Sequence, residues 1–411
     1  MQSTDTSLHL NRGSCPVEHT PLSYKKTCLQ ELAGAALERD ASGVWHVRSF
    51  ELVRKVLRSG HTRQAGFRAE LLAQIPHAMR QPILYQDGKE HREQRKQTAR
   101  FFTPKMVNES YRELMERLTE RLIARLQNVR QADLSTLTLE LAVRVAAEVV
   151  GLTNSRLPNM PGRLDAFFKN DLEPFCWKPR ALWRFLNNQR RILAFFFMDV
   201  QPAIKARRRY PREDLISHLV AQGYSDMEIL TECVTFAAAG MVTTREFISM
   251  ATWHLLGEPA LRARYLHAQE AERYTILEEI LRLEPVVGHL YRRLTADLAL
   301  EHADQTVVMP QGALIDLHIH SANTDTTIVG AHPLQLSPDR KLQGEHVPTE
   351  LMGFGDGQHR CPGSYVAIQE TDILLKRLLT LEGLSIKRQP DLTWNAVVTG
   401  YELRSFIVTL S

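Results

Sequence analysis

The chain has 411 residues, 44% of them hydrophobic, enough to bury a large core. Its formal net charge of +4 is a mild excess of base, without the concentrated stripe that nucleic-acid binding calls for. Five cysteines scattered at positions 15, 28, 176, 233 and 361 form no disulfide framework and fit a reducing cytoplasm, and no apolar run is long enough to span a bilayer.

In chain order, residues 1–25 read as a polar, extended arm. A helical stretch and then a strand candidate, Gly43–Val47, follow, and Phe50–Leu57 has the spacing of a short amphipathic helix. Residues 60–85 read as a loop. In Asp87-Gly88-Lys89-Glu90-His91-Arg92-Glu93-Gln94-Arg95, His91 and Arg95 are four apart and share one helix face, whose ordinary reading is a solvated basic surface. Residues 106–152 keep a helical period to Gly151, and an aromatic-rich helical run extends through Phe195–Phe197. Lys205–Arg209, beside Pro211, reads as an exposed basic loop.

Ser225-Asp226-Met227-Glu228 is a capping box, and the periodic apolar residues after it run to Leu256, with Gly257 and Pro259 as the stop. A helix of roughly 30 residues is about 45 Å long, enough to cross a domain. Gly240 in its interior costs about 1 kcal/mol relative to alanine, so either packing or function asks for the missing side chain. Glu279 and Arg282 are three apart on the next helix, which stops at Pro285. A strand follows in which Arg292 and Arg293 face opposite ways and His289 reads as a plain strand histidine. Gln305–Leu317 reads as a hairpin about Gln311-Gly312, residues 364–381 as a helix, and residues 383–411 as strands with a tip at Val398–Tyr401.

The most informative stretch is Phe354-Gly355-Asp356-Gly357-Gln358-His359-Arg360-Cys361-Pro362-Gly363. A lone cysteine in a turn is ordinarily a small buried thiol. Here Cys361 lies just ahead of a helix N-terminus, where the dipole and free N–H groups stabilise a thiolate, and a thiolate is a soft ligand for iron. Zinc competes poorly, because no paired Cys-x-x-C supplies further ligands. The pattern F-G-x-G-x-H-x-C-x-G resembles the haem-binding loop of the cytochromes P450.

That resemblance implies a mainly α fold with a smaller β region, a long central helix over a buried haem, and one domain over residues 26–411 without a fused reductase. It implies haem b held by Cys361 as the axial thiolate, in a loop containing Phe354, Gly355 and Gly363, with Ala239 beside the cofactor. His91, Arg95, Arg292 and His359 are the expected propionate partners, two cations on one helix face being suited to a carboxylate. Gly240 would make room for dioxygen, and Thr243 would bond a helix carbonyl or the bound oxygen. The acid that the family places before this threonine is Val242 here, so Glu246, one turn on, becomes the candidate proton source, with Arg245 able to pair it away. Glu279 and Arg282 would lock the cysteine loop, and Thr324 replaces the arginine of the family's A-N-R-D. The implied protein is a bacterial, cytoplasmic haem-thiolate monooxygenase for a small to medium apolar substrate, without a membrane anchor. Its electrons would come from a ferredoxin or flavodoxin and a reductase, drawn to Arg92, Arg95, Lys96, Arg100 and Lys105. Val242 keeps open a peroxide-driven or otherwise atypical haem-thiolate enzyme, and a non-catalytic haem protein is the third reading.

Overall fold

The structure, a computed structural model, describes residues 24–27, 33–67, 69, 79–168, 179–395 and 398–411; the arm expected over residues 1–25 lies outside them except for Tyr24 and Lys25. Helices dominate. In order the elements are β1 (Leu37–Arg39), β2 (Trp45–Val47), α1 (Phe50–Arg58), β3 (Thr62–Ala65), α2 (Gly88–Thr98), α3 (Arg112–Val129), β4 (Gln131–Asp133) and α4 (Leu134–Val150). Next come α5 (Met160–Phe168), α6 (Pro179–Phe195), α7 (Gln201–Arg209), α8 (Leu215–Ala221), α9 (Asp226–Phe236), α10 (Thr243–Gly257), α11 (Pro259–His267) and α12 (Glu270–Leu283). The last part holds β5 (His289–Leu294), β6 (Leu298–His302), β7 (Gln305–Met309), β8 (Leu314–His318), α13 (Ser364–Leu378), β9 (Leu384–Arg388), β10 (Asp391–Asn395), β11 (Gly400–Arg404) and β12 (Ile407–Leu410).

A large helical core joins α3, α4, α10, α12 and α13, whose buried faces supply residues such as Met115, Leu141, Ile248, Ile280 and Leu374. A smaller core lies between α1 and the five-stranded sheet β1-β2-β8-β5-β3. Ser49 caps α1 by accepting from Leu52 N, and Phe50, Leu52, Val53, Val56 and Leu57 form its buried stripe. The buried residues of α2 are unusual for their polarity: His91, Gln94 and Thr98. A helix with such a face needs polar partners, and that requirement points to a site.

The long central helix forms as the capping box predicts. Ser225 Oγ accepts from Glu228 N at 3.3 Å, and Glu228 Oε2 accepts from Ser225 N at 2.8 Å. Between α9 and α10, however, Ala237–Val242 make a π-helical turn, a wide turn common at functional sites.

Several sequence expectations are corrected. The described part of the first helical stretch is β1, an edge strand paired antiparallel with β2. The loop expected over 60–85 contains β3, which pairs with β5. The helical period over 106–152 is interrupted by left-handed Arg130 (φ 63°) and by β4, which pairs with β12. The hairpin is β6–β7, turning at Ala303 and Asp304, whereas β8 joins the five-stranded sheet. The basic cluster 205–209 belongs to α7, where Arg207 is buried against Asp214 and also bonds Thr153 Oγ1 at 2.8 Å. Partnered charge accounts for Arg207, whereas Lys205, Arg208 and Arg209 are exposed as expected.

Candidate active site

Cys361 sits in a loop held by two close approaches. Its own N–H donates to Phe354 O at 2.9 Å, closing the loop on itself. Gly357 (φ 67°) packs against the end of α1 so tightly that a β-carbon would clash with Leu57 O. Arg58 Nε then bonds Asp356 Oδ2 at 2.8 Å, fixing the loop to α1 by side chains as well.

Behind the loop lies a buried network. Arg282 forks onto Glu279 at 2.6 and 2.9 Å and reaches Asn323 O at 2.9 Å and Pro333 O at 3.0 Å. Asn323 returns a bond to Arg282 O at 3.0 Å and accepts from Met352 N at 2.8 Å, linking the pair to the start of the loop segment. Arg340 completes the network at Glu279 Oε1.

A cavity of about 330 Å³ opens between this loop and the central helix. Its lining brings together Cys361, Phe354, Gly355 and Gly363 from the loop with Ala239, Gly240 and Thr243 from the wide turn and its end. His91, Arg95, Arg292 and His359 line it as well. Burial raises the Cys361 thiol, opposed by the Gly363 N–H, Arg95 and Arg360. Gly240 is not a packing requirement: a β-carbon there would meet only Ala146 Cβ, at an ordinary 3.9 Å. The Thr243 hydroxyl donates to Ala239 O across the wide turn.

The four basic residues crowd one edge. The rings of His91 and His359 stack with centroids 4.1 Å apart, and His91 Nδ1 is buried without a hydrogen-bond partner. Burial, then the neighbouring His359 and Arg95, push His91 down to about 4, and burial pushes Arg292 down to about 10. Asp87 faces this group, with its Oδ1 3.1 Å from His359 Nε2. Arg292 bonds Gln64 and Tyr291 O, both neutral. An edge so rich in donors and so poor in carboxylates suits a dianionic group, and the cavity and its cysteine suit a haem whose propionates lie there.

Glu246 stands apart from this set. It is fully buried and does not line the cavity. Its Oε1 accepts from Arg245 Nε and from Arg404 Nη1, both at 2.7 Å, and its Oε2 accepts from Leu403 N at 2.7 Å. The expectation that it serves Thr243 is corrected: an offset of three residues on α10 turns it toward Leu403 and Arg404 of β11, while Thr244 and Phe247 of the same helix line the cavity. Sequence reasoning missed Arg340, Gln64 and Asp87, each one polar residue among many. It also missed Glu370, buried on α13, lining the cavity and raised to about 8 by burial. The buried polar stripe of α2 was the one available signal, through Gln94, which bonds Glu232 Oε1 at 2.8 Å.

The family model for cytochrome P450 matches residues 42–270 and 274–390. The biotin biosynthesis cytochrome P450 of Bacillus subtilis is 26% identical over 311 residues, covering 74% of each chain. Cytochrome P450-SU2 of Streptomyces griseolus is 27% identical over 394 residues, 92% of this chain and 88% of that protein. Among solved structures, CalO2 superposes with a TM-score of 0.74 at 23% identity, covering 91% of this chain and 92% of that one.

Proposed function

The chain belongs to the cytochrome P450 family and is a haem-thiolate monooxygenase, and from that premise we propose that it inserts one atom of dioxygen into a small to medium apolar organic substrate, with electrons from an external ferredoxin or flavodoxin and its reductase. The reading rests on one observation: Cys361, Gly240 and Thr243 line the same cavity. When bound, a thiolate-ligated haem supplies iron with an electron-rich axial sulfur that favours O–O cleavage.

The chain's own residues would do the rest. Cys361 would hold the metal, with the loop bond of Phe354 and the Gly357 contact keeping its sulfur in place. His91, Arg95, Arg292 and His359 would bind the propionates and orient the cofactor. Apolar Leu84, Val287, Leu290 and Val398 line the remaining wall and exclude water from the substrate. Thr243 holds a proton at its hydroxyl, in reach of the space left by Gly240. Exposed Arg92, Lys96, Arg100 and Lys105 form the basic face for an acidic donor protein. Residues 26–411 act as one domain.

The test is the carbon monoxide spectrum of the reduced protein, whose Soret band should fall where thiolate ligation places it; Cys361→Ala should abolish that band. A parent protein that fails to take up haem would overturn the proposal. Val242, an apolar residue beside Thr243, favours a second reading in which hydrogen peroxide drives turnover. Comparing turnover with peroxide against turnover with ferredoxin, reductase and NAD(P)H separates the two.

A further inference from the structure

The five-stranded sheet carries a second cluster that the monooxygenase chemistry does not use. In register, His46 of β2 faces Asp316 of β8, and His318 of β8 faces His289 of β5. Asp316 and His318 are two apart, so all four side chains share one sheet face. The neighbours of His289 on β5, Leu290 and Arg292, line the cavity from one strand face and its end. By alternation the cluster lies on the other face.

We propose that His46, Asp316 and His318 bind one divalent transition-metal ion of the zinc class, as a clamp on this sheet. Their donor atoms already form a triangle: His46 Nδ1 to His318 Nε2 is 2.9 Å, and Asp316 Oδ2 is 3.4 Å from each nitrogen. Ligands about 2.0–2.1 Å from a tetrahedral ion are about 3.3 Å from one another, so the triangle is close to one face of such a site. Two imidazoles and one carboxylate suit zinc, cobalt or nickel, whereas magnesium and calcium prefer oxygen sets.

The support is built as metal sites build it. The second ring nitrogen of His46, Nε2, meets Asp40 Oδ2 at 3.2 Å, which leaves Nδ1 to face the cluster. Asp40 is itself placed by Ser42 Oγ at 2.7 Å and Val44 N at 2.9 Å. The other oxygen of Asp316 accepts from His289 Nδ1 at 2.8 Å. His318 Nδ1 is buried without a hydrogen-bond partner, so the bonding of that ring is all directed to the cluster. Bound there, an ion would tie β2 to β8, and through His289 to β5.

The experiment is calorimetric titration of the haem-loaded protein with zinc chloride, haem keeping Cys361 occupied, alongside thermal unfolding with zinc or with EDTA. Zinc should bind with a saturable site that is lost in His46→Ala/His318→Ala and weakened about 10–100-fold in Asp40→Ala, which removes no ligand but takes away the outer partner of His46. Zinc should raise the unfolding temperature of the parent and leave the double variant unmoved. An unchanged reduced carbon monoxide spectrum certifies that each variant is folded. No saturable binding, equal affinity in parent and double variant, or an equal response to magnesium would overturn the proposal.

Discussion

Arg340 donates its Nε to Glu279 Oε1 at 3.3 Å, the same oxygen that accepts Arg282 Nη2 at 2.9 Å. One buried carboxylate thus holds two guanidinium groups from segments 58 residues apart, and Arg340 spends its remaining donors on the carbonyls of Val329, Ala331, His332 and Gln335. Removing one partner from a buried pair costs about 3–5 kcal/mol, because the other charge is left uncompensated. Arg282→Ala, which strips the two-bond fork from Glu279, should therefore purify with little haem and unfold at lower denaturant, whereas Arg340→Ala leaves that fork in place and should lose less of both. The ratio of Soret to protein absorbance checks this.

Thr243 and Glu246 should separate cleanly. Thr243→Ala removes a hydroxyl from the cavity and should lower product formed per NAD(P)H consumed while leaving stability within about 1 kcal/mol. Glu246→Gln should do the reverse, since it strips a buried anion from Arg245 and Arg404 while its amide oxygen can still accept from Leu403 N. Its coupling should stay near the parent's and its midpoint of unfolding should fall. Product and cofactor assays beside denaturant curves read both effects.

Gly240→Ala should fold, because the added carbon meets only Ala146 Cβ at 3.9 Å. Helix propensity favours it by up to about 1 kcal/mol. Its penalty should appear in ligand binding, as weaker spectral titration by distal ligands. A variant that binds such ligands as the parent does would show that the missing side chain serves nothing in the cavity.

Burial raises Glu232 to about 7, partly opposed by Gln94 and Ile83 N–H. A carboxyl raised on folding stabilises fully below its unfolded value, near 4.5, and the contribution fades as pH rises through 7. Stability should accordingly decline between about pH 5 and 7 in the parent, and Glu232→Gln should make that decline shallower, the remainder coming from Glu278 and Glu370, also raised by burial. Urea midpoints measured at half-unit steps decide it.

Reduction by an acidic electron carrier should slow with added salt if the exposed face of α2 receives it. Arg92→Glu and Lys96→Glu should lower the second-order rate and its salt dependence together, with the carbon monoxide spectrum unchanged. Stopped-flow reduction at two ionic strengths is sufficient.

The elements most legible in the sequence were those that carry their own punctuation. Ser225 and Glu228 announced the central helix, Gly151 its left-handed stop for α4, and the glycines around Cys361 the loop. The short strands were not legible, because β1, β3 and β4 are three or four residues long and owe their state to partners far away in sequence. For the same reason Arg207 looked solvated: its burial depends on Asp214, brought in by the turn before α8, and on Gly151 O, Thr153 and Asn154, these three more than 50 residues earlier. At the site, residues that repeat a spacing could be read, such as His91 with Arg95. Arg340 and Asp87 could not, since their roles are set by which loop folds onto which helix. Glu246 misled for a simpler reason, as a 60° offset on a helix separates a cavity wall from a protein core.

The wide turn at Ala237–Val242 accommodates one residue more than a regular helix would over the same rise. Helices α9 and α10 are therefore in phase with each other as though that surplus residue were absent. Excising a single residue from this span should preserve every face the two helices bury, yet close the gap in the ladder beside Gly240: the feature is a removable insert, separable from the scaffold that carries it.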